Sequence, residues 1–379
     1  MEFVLPSLNK FGKDSYKEIS NVLVSENKTK GLILTTLDIF ELGLLNNILD
    51  VLNENNIKYE IYTGVVPNPT IQNVEDATKM FKENECDFIM GIGGGSANDC
   101  AKAVGILASN GGNIKDYVGF NQSKNKSPLL ICVNTTAGTA SEISRAFLIN
   151  DEENKEKLIF KDINALPYLS INNPEIMFGL PGKITAQTGM DALTHAIESY
   201  ISTGAYTLTK EFSLSSIKLI FNSLEKVIEE PKNEELRNNM IYAQFLAGMA
   251  FCNAGLGLVH AMSHQLSALY NLPHGLSNAI LLPEVMRLNK KTSSREFAEI
   301  YRTIFTDSSE NDDICADKFI QLVEELSNKV GTKIKLSDLN AKEEDIDKLV
   351  SMTFKDGNLP RNPYQPTSED VKSILKKVW

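Results

Sequence analysis

Apolar residues in the first half of the chain fall into short runs separated by polar stretches of helical spacing. The runs Gly31–Thr36, Ile57–Thr63, Asp87–Ile92, Leu129–Asn134 and Tyr168–Asn172 read as strands. Between the first of them, Ile39–Asn53 and Ile71–Glu83 place their apolar residues on one helical face. A strand–helix–strand rhythm of this kind predicts an α/β domain with a mostly parallel sheet and helices on its faces. Beyond about Pro181 the strand pattern stops. Ile184–Ser202, Thr207–Glu229, Glu234–Asn253 and Gly257–Tyr270 all read as helices, and the remainder continues in that style. Pro174, Gly179, Pro181 and Gly182 punctuate the change. The pattern therefore predicts an α/β domain over residues 1–181 and an all-α domain over 182–379. Ligands favour clefts between domains, so the chemistry is expected near the junction.

Composition narrows this picture without changing it. Of the 379 residues 42% are hydrophobic and 23% charged, the balance of a folded globular chain long enough for two cores. The net charge of −11 disfavours a nucleic-acid groove or an anionic membrane surface as partner. Five scattered cysteines (Cys86, Cys100, Cys132, Cys252, Cys315) form no C-x-x-C pair, which predicts free thiols in a reducing compartment. The N-terminal segment lacks the basic start and apolar stretch of a secretory signal. The most apolar stretch, Leu246 to Met262, is interrupted by Asn253 and His260 and is too short to span a bilayer, so it reads as a buried helix. A cytoplasmic location without membrane or nucleic-acid partners is expected.

Two small-residue loops carry the first candidate chemistry. Gly93-Gly94-Gly95-Ser96 follows the Asp87–Ile92 strand and opens a helix over Ala97–Ala108, with Asp99 and Lys102 on its first turns. Glycines let a backbone approach a phosphate, and a helix N-terminus offers N–H groups and partial positive charge. A plain strand-to-helix turn capped by Ser96 explains the same residues, and the segment is not a G-x-G-x-x-G fingerprint. The second loop, Thr135-Thr136-Ala137-Gly138-Thr139-Ala140-Ser141-Glu142, follows the next predicted strand. Loops at the carboxyl ends of parallel strands line the ligand crevice, so two together favour a dinucleotide site.

The second constellation is a histidine cluster. The chain has four histidines, His195, His260, His264 and His274, all in the first part of the helical domain. Asp191 and His195 stand four apart in a helical segment, and so do His260 and His264, so each pair shares one helix face. Taken singly, a histidine in an apolar helix is more commonly a hydrogen-bonded core residue, and Asp191 a cap or ion-pair partner. An acid and every histidine of the chain in one region instead point to a divalent metal held by N and O donors. With no thiolate in the set, a closed structural zinc is disfavoured, while iron, zinc and other divalent ions stay open.

With these segments in place the chain resembles the iron-dependent (group III) alcohol dehydrogenases, in the branch of 1,3-propanediol, ethanol and butanol dehydrogenases. GIGGGSANDCAKAVG is similar to that family's GGGSxxDxAK segment, TTAGTASEISR to its TTAGTxSE loop and SINNP to its SINDP. GMDALTHAIESYIS and GLVHAMSHQLSALYNLPHG resemble its two metal segments, and NLPRNPYQPTSEDV its closing NPR pattern. The resemblance runs from Leu5 to the C-terminus. It implies that Asp191, His195, His260 and His274 bind the metal, commonly Fe2+, with Zn2+ or another divalent ion as substitute. It assigns Gly94, Gly95, Ser96, Asp99, Thr136 and Thr139 to the cofactor, NAD or NADP, and makes His264 a proton-transfer residue beside the metal. Phe251 matches a substrate-lining position, and Phe147 and Leu256 are further candidates for the pocket wall. Three positions depart from the pattern: Asn134 stands for proline, Asn173 for aspartate, and Thr36 for an acid after the first strand. A neutral Thr36 implies tolerance of NADP, with Asp38 as the rival acid that would enforce NAD.

The implied activity is hydride transfer between NAD(P)H and a short-chain aldehyde or alcohol, a diol or polar aldehyde included, by a homodimer or larger homo-oligomer. The competing readings are a polyol dehydrogenase, a dehydroquinate synthase-like relative, and a metal- and nucleotide-binding protein without turnover.

Overall fold

A computed structural model describes residues 3–6, 8–305 and 310–379. The chain divides into two compact units. One comprises Leu5–Thr136 and Ala140–Gly179; the other comprises Leu180–Trp379, the loop piece Ala137–Thr139 and the N-terminal piece ending at Val4.

The first unit is built on strands β1 (Leu8–Phe11), β2 (Lys30–Leu34), β3 (Lys58–Tyr62), β4 (Phe88–Gly93), β5 (Gly119–Phe120), β6 (Leu129–Asn134), β7 (Ala146–Asp151), β8 (Glu156–Lys161) and β9 (Leu169–Asn172). Its helices are α1 (Glu18–Ser25), α2 (Leu37–Glu41), α3 (Asn46–Glu54), α4 (Ile71–Glu83) and α5 (Gly95–Asn110). Six strands form a parallel sheet in the order β1-β9-β6-β4-β2-β3. The central strands β2, β4 and β6 are buried on both faces, which is why they read as nearly continuous apolar runs. Leu32, Leu34, Ile89, Leu130 and Cys132 face one core with Val74, Phe81, Ala101 and Val104 of α4 and α5. Their neighbours Ile33, Phe88, Met90, Ile131 and Val133 face the other, with Ile19, Leu23, Ile48 and Leu52 of α1 and α3.

Three details differ from the sequence expectation. The expected helix Ile39–Asn53 is two, α2 and α3, because Gly43 between them sits at φ 68°. The five expected strands are joined by the edge strand β1 and by a small sheet of order β5-β8-β7, whose β7–β8 pair is an antiparallel hairpin. In β7 buried and half-buried residues alternate, so its signal is the alternation of a half-covered strand.

The second unit holds α6 (Gly182–Ile201), α7 (Thr207–Glu229), α8 (Glu234–Ala254), α9 (Leu258–Tyr270), α10 (His274–Ile304), α11 (Asp312–Lys329), α12 (Ile346–Thr353) and α13 (Ser368–Val378), and no named strand among its described residues. The apolar stretch Leu246–Met262 is not one buried helix. It spans the end of α8 and the start of α9, which are bent by 103° across Gly255-Leu256-Gly257. Among the described residues no single helix is long and apolar enough to cross a membrane.

Candidate active site

In the first unit the chain steps outward from β2 to β3 and then returns to β4 on the other side of β2. Such a reversal leaves a crevice at the carboxyl ends of the two central strands, where nucleotides bind in open α/β sheets. Thr36 and Gly93–Gly95 stand at those ends. Gly94 occupies the cap position of α5, and no side chain caps that helix. A methyl group on Gly94 would come within 2.9 Å of Thr136 Oγ1, so glycine is what lets the two small-residue loops meet. Among the described residues the buried Thr136 Oγ1 has no hydrogen-bond partner. An uncapped helix end beside an orphan hydroxyl suits a phosphate-bearing ligand.

The other predicted cofactor residues are placed as follows. Ser96 Oγ accepts from the Asn68 N–H at 3.3 Å. Thr36 caps α2 by accepting from the Ile39 N–H at 3.4 Å, and Asp38 is exposed on the first turn of that helix. Thr139 is half-buried in the second loop. Asp99 is turned to the protein: its Oδ1 accepts from Ser141 Oγ at 2.5 Å and its Oδ2 from the Leu148 N–H at 3.0 Å. Burial pushes the Asp99 carboxyl above its ordinary range, against the pull of Lys102. Lys102, itself fully buried, donates to Ser141 Oγ and to the Ala146 carbonyl, both at 2.8 Å, so the pair braces the chain after the second loop. Phe147 does not line a pocket. It lies fully buried in the core of this unit, stacked on Phe160 with ring centroids 4.6 Å apart, which corrects the substrate-lining expectation.

In the second unit α6 supplies Asp191 and His195 one turn apart, α9 supplies His260, and α10 opens on His274. One donor atom from each of the four lies within 4.8 Å of the others. Asp191 Oδ1 stands 3.9, 3.9 and 3.6 Å from Nε2 of His195, His260 and His274. Metal–ligand bonds of about 2.1 Å set neighbouring donors roughly 3–4 Å apart, so the spacing fits a single ion. Close packing enforces it: a methyl group on Gly275 would come within 2.3 Å of the Gln187 carbonyl oxygen, so the first turn of α10 lies directly on α6. Burial holds His195 down at about 4, against the pull of Asp191 and the Gly138 backbone, leaving the neutral imidazole a metal requires. Three of the four side chains are at most 5% exposed, whereas His274 is 23% exposed and opens the cluster to ligands. Three imidazoles and one carboxylate suit a divalent transition metal.

His264 lies beside the cluster, its ring stacked on His274 with centroids 5.3 Å apart, and its Nδ1 is 2.8 Å from Asp356 Oδ2. Burial raises the Asp356 carboxyl, but His264 and the Asn358 N–H outweigh it and hold the group below its usual range. Phe251 is half-buried and stacks on His195, centroids 4.5 Å apart.

Three partners escaped the sequence reading. Glu198 reaches His260, Asn278 Nδ2 donates to Asp191 Oδ1 at 2.6 Å, and Asp356 holds His264. Helical spacing carried a signal for two: Glu198 is seven residues after Asp191, and Asn278 four after His274. Asp356 comes from a distant segment, and no local pattern points to it.

A doubly wound nucleotide unit and a helical unit with a donor cluster of one aspartate and three histidines together define a metal-dependent, nicotinamide-linked dehydrogenase. The chain belongs to the iron-containing alcohol dehydrogenase family: residues 6–174 match the iron-containing alcohol dehydrogenase domain, and residues 185–379 the C-terminal domain of the Fe-containing alcohol dehydrogenases. It is 42% identical to alcohol dehydrogenase 4 of Schizosaccharomyces pombe over 376 residues, 99% of this chain and 88% of that protein. It is 38% identical to the 1,3-propanediol dehydrogenase of Klebsiella pneumoniae over 383 residues, 100% of this chain and 98% of that one. A crystal structure of a 1,3-propanediol oxidoreductase superposes with a TM-score of 0.97 at 37% identity, covering 100% of this chain and 99% of that one. The protein is an alcohol/aldehyde oxidoreductase that uses NAD(H) and iron, and the polyol dehydrogenase, dehydroquinate synthase-like and non-catalytic readings are not favoured.

Proposed function

We propose that this chain interconverts short-chain aldehydes and alcohols, diols and polar aldehydes included, at a divalent ion held by Asp191, His195, His260 and His274. The observation that carries the reading is the convergence of those four donors within 4.8 Å. When bound, the ion supplies Lewis acidity where negative charge develops on the substrate oxygen. Fe2+ is the proposed ion, with Zn2+ or another divalent metal able to replace it.

The remaining work falls to side chains. His264, with Nδ1 engaged by Asp356, presents Nε2 for proton exchange with the substrate oxygen. Phe251, packed on His195, is the proposed apolar wall of the substrate site. Gly94, Gly95, Ser96, Thr136 and Thr139 are proposed to hold the pyrophosphate and nicotinamide side of the cofactor. Asp99 supports them from behind through Ser141. The proposed working domains are residues 1–181 for the nucleotide and 182–379 for the metal. A neutral Thr36 at the end of the β2 turn favours acceptance of NADPH as well as NADH. Five free cysteines, four of them buried, support a reducing, cytoplasmic setting. The edge strand β1 is a surface that a second copy can pair with, which supports a homodimer or larger homo-oligomer.

The test is NADH oxidation with a panel of short aldehydes, using protein purified without oxygen, with and without added Fe2+. Metal-dependent turnover is expected. Absence of bound metal, together with no activity on adding Fe2+ or Zn2+, overturns the reading. Light scattering on the same sample reads the assembly.

A further inference from the structure

Glu198 lies on α6, on the same face as Asp191 and His195, and is 2% exposed. Its two carboxylate oxygens do different things. Oε1 accepts from the Val259 N–H at 2.6 Å, and Oε2 stands 2.6 Å from His260 Nδ1. Val259 is the second residue of α9, whose cap position is Gly257, a residue with no side chain to satisfy the first N–H groups. Those groups are satisfied from elsewhere: Asn362 Oδ1 accepts from Leu258 N–H at 3.0 Å, and Glu198 takes Val259. A carboxylate only accepts hydrogen bonds, and here one oxygen already takes a backbone N–H. Nδ1 of His260 must therefore be the ring atom that carries hydrogen.

With the hydrogen on Nδ1, Nε2 carries the lone pair and lies on the side of the other three metal-binding atoms. Asn278 Nδ2 fills the space among them, 2.6 Å from Asp191 Oδ1 and 3.2 Å from Nε2 of both His260 and His274, with two hydrogens for the three acceptors.

We propose that Glu198 is a positioning residue for the metal centre: it fixes His260 in the Nδ1–H tautomer and, by capping α9, sets the pose of the ring. This rests on the reading that the four-donor cluster holds a divalent ion. Glutamine at this position cannot do both jobs. With its oxygen on Val259 N–H, its amide N–H faces His260 Nδ1 and drives the hydrogen to Nε2, where it blocks coordination. Turned round, the amide faces Val259 N–H donor to donor.

The experiment titrates Co2+ into the chelator-stripped full chain, following the visible ligand-field bands, for wild type, Glu198→Gln and Asp356→Asn. Glu198→Gln is expected to weaken Co2+ binding by ~10–100-fold, the usual cost of losing an outer-shell partner. Asp356→Asn, which disturbs His264 in the same manner, is expected to bind Co2+ as wild type does. Equal affinity for wild type and Glu198→Gln overturns the proposal, as does equal weakening by both variants. A wild type that takes up no Co2+ instead defeats the underlying metal reading. Should Glu198→Gln not fold, two-bond 15N–1H spectra of the wild type decide the matter. With four histidines in the chain and the His260 signals identified from His260→Asn, an Nδ1–H pattern is expected, and an Nε2–H pattern overturns the proposal.

Discussion

The two candidate sites of this molecule are made of different material. The nucleotide site is a place where side chains are missing. Gly94 lets the β4–α5 turn and the Thr136 loop touch, and the binding groups offered are backbone N–H groups and one orphan hydroxyl. The metal site is a place where side chains converge. Four donors from three helices meet, with Glu198 behind His260 and Asn278 against Asp191. A site of the first kind is damaged by adding an atom, and one of the second kind by removing one. The difference also sets the size of the damage, because a ligand atom cannot be replaced by a small backbone shift.

Removal from the metal site is the largest expected effect. His195→Ala leaves three donors and is expected to lose stoichiometric metal, with kcat falling by ~10³-fold or more, since Lewis acidity is worth several kcal/mol. Metal analysis and turnover, measured on the same preparation, check this. Full retention of metal would remove His195 from the site.

His264→Gln subtracts a group beside the same cluster that is turned toward Asp356. It is expected to keep its metal while losing rate by ~10²-fold, the usual size for a positioned acid–base group, and to flatten the pH–rate profile. Metal loss in this variant would place His264 among the ligands, and an unchanged pH profile would reduce it to packing.

Gly94→Ala tests the opposite rule. The new methyl meets Thr136 Oγ1 at 2.9 Å and Cγ2 at 3.3 Å, so the Thr136 side chain must move. KM for NADH is expected to rise by ~10-fold, about 1.4 kcal/mol, with metal content unchanged. An unchanged KM would mean that the glycine turn is a structural feature only.

The smallest effect concerns the ribose end of the same site. Thr36 is neutral and already engaged with the Ile39 N–H, whereas Asp38 is exposed two residues further on. The ratio of kcat/KM for NADH over NADPH is expected to stay below about a hundredfold, or ~2.7 kcal/mol. A larger ratio that falls in Asp38→Gly, but not in Thr36→Gly, would show that Asp38 guards the ribose.

Legibility of the molecule followed the range of the interactions. Leu129–Asn134, Ile71–Glu83 and Thr207–Glu229 have the same bounds in sequence pattern and structure, because burial imposes a period that the chain displays locally. The helix expected over Ile39–Asn53 failed at one residue, Gly43, whose left-handed conformation the apolar pattern does not register. Phe147 was misplaced for a related reason. An apolar residue near a functional loop looks the same in sequence whether it faces a ligand or, as here, Phe160.

The sequence by itself determined the alternation of strands and helices, the change of style near Pro181, the two small-residue loops, and the acid and histidines at helical spacing. All of these depend on neighbours within a turn or two, where covalent geometry dictates which side chains share a face. The tertiary structure alone decided that Asp191, His195, His260 and His274 bring one donor atom each to a common point, and that Asp99 faces Ser141 rather than open solvent. It also decided that Asp356 and Asn362, from the far end of the chain, hold His264 and the start of α9. Those arrangements depend on how closely whole helices pack, down to the absent Cβ of Gly275 against the Gln187 carbonyl. Distances of that kind are fixed by the packing of segments remote in sequence, and no local period encodes them.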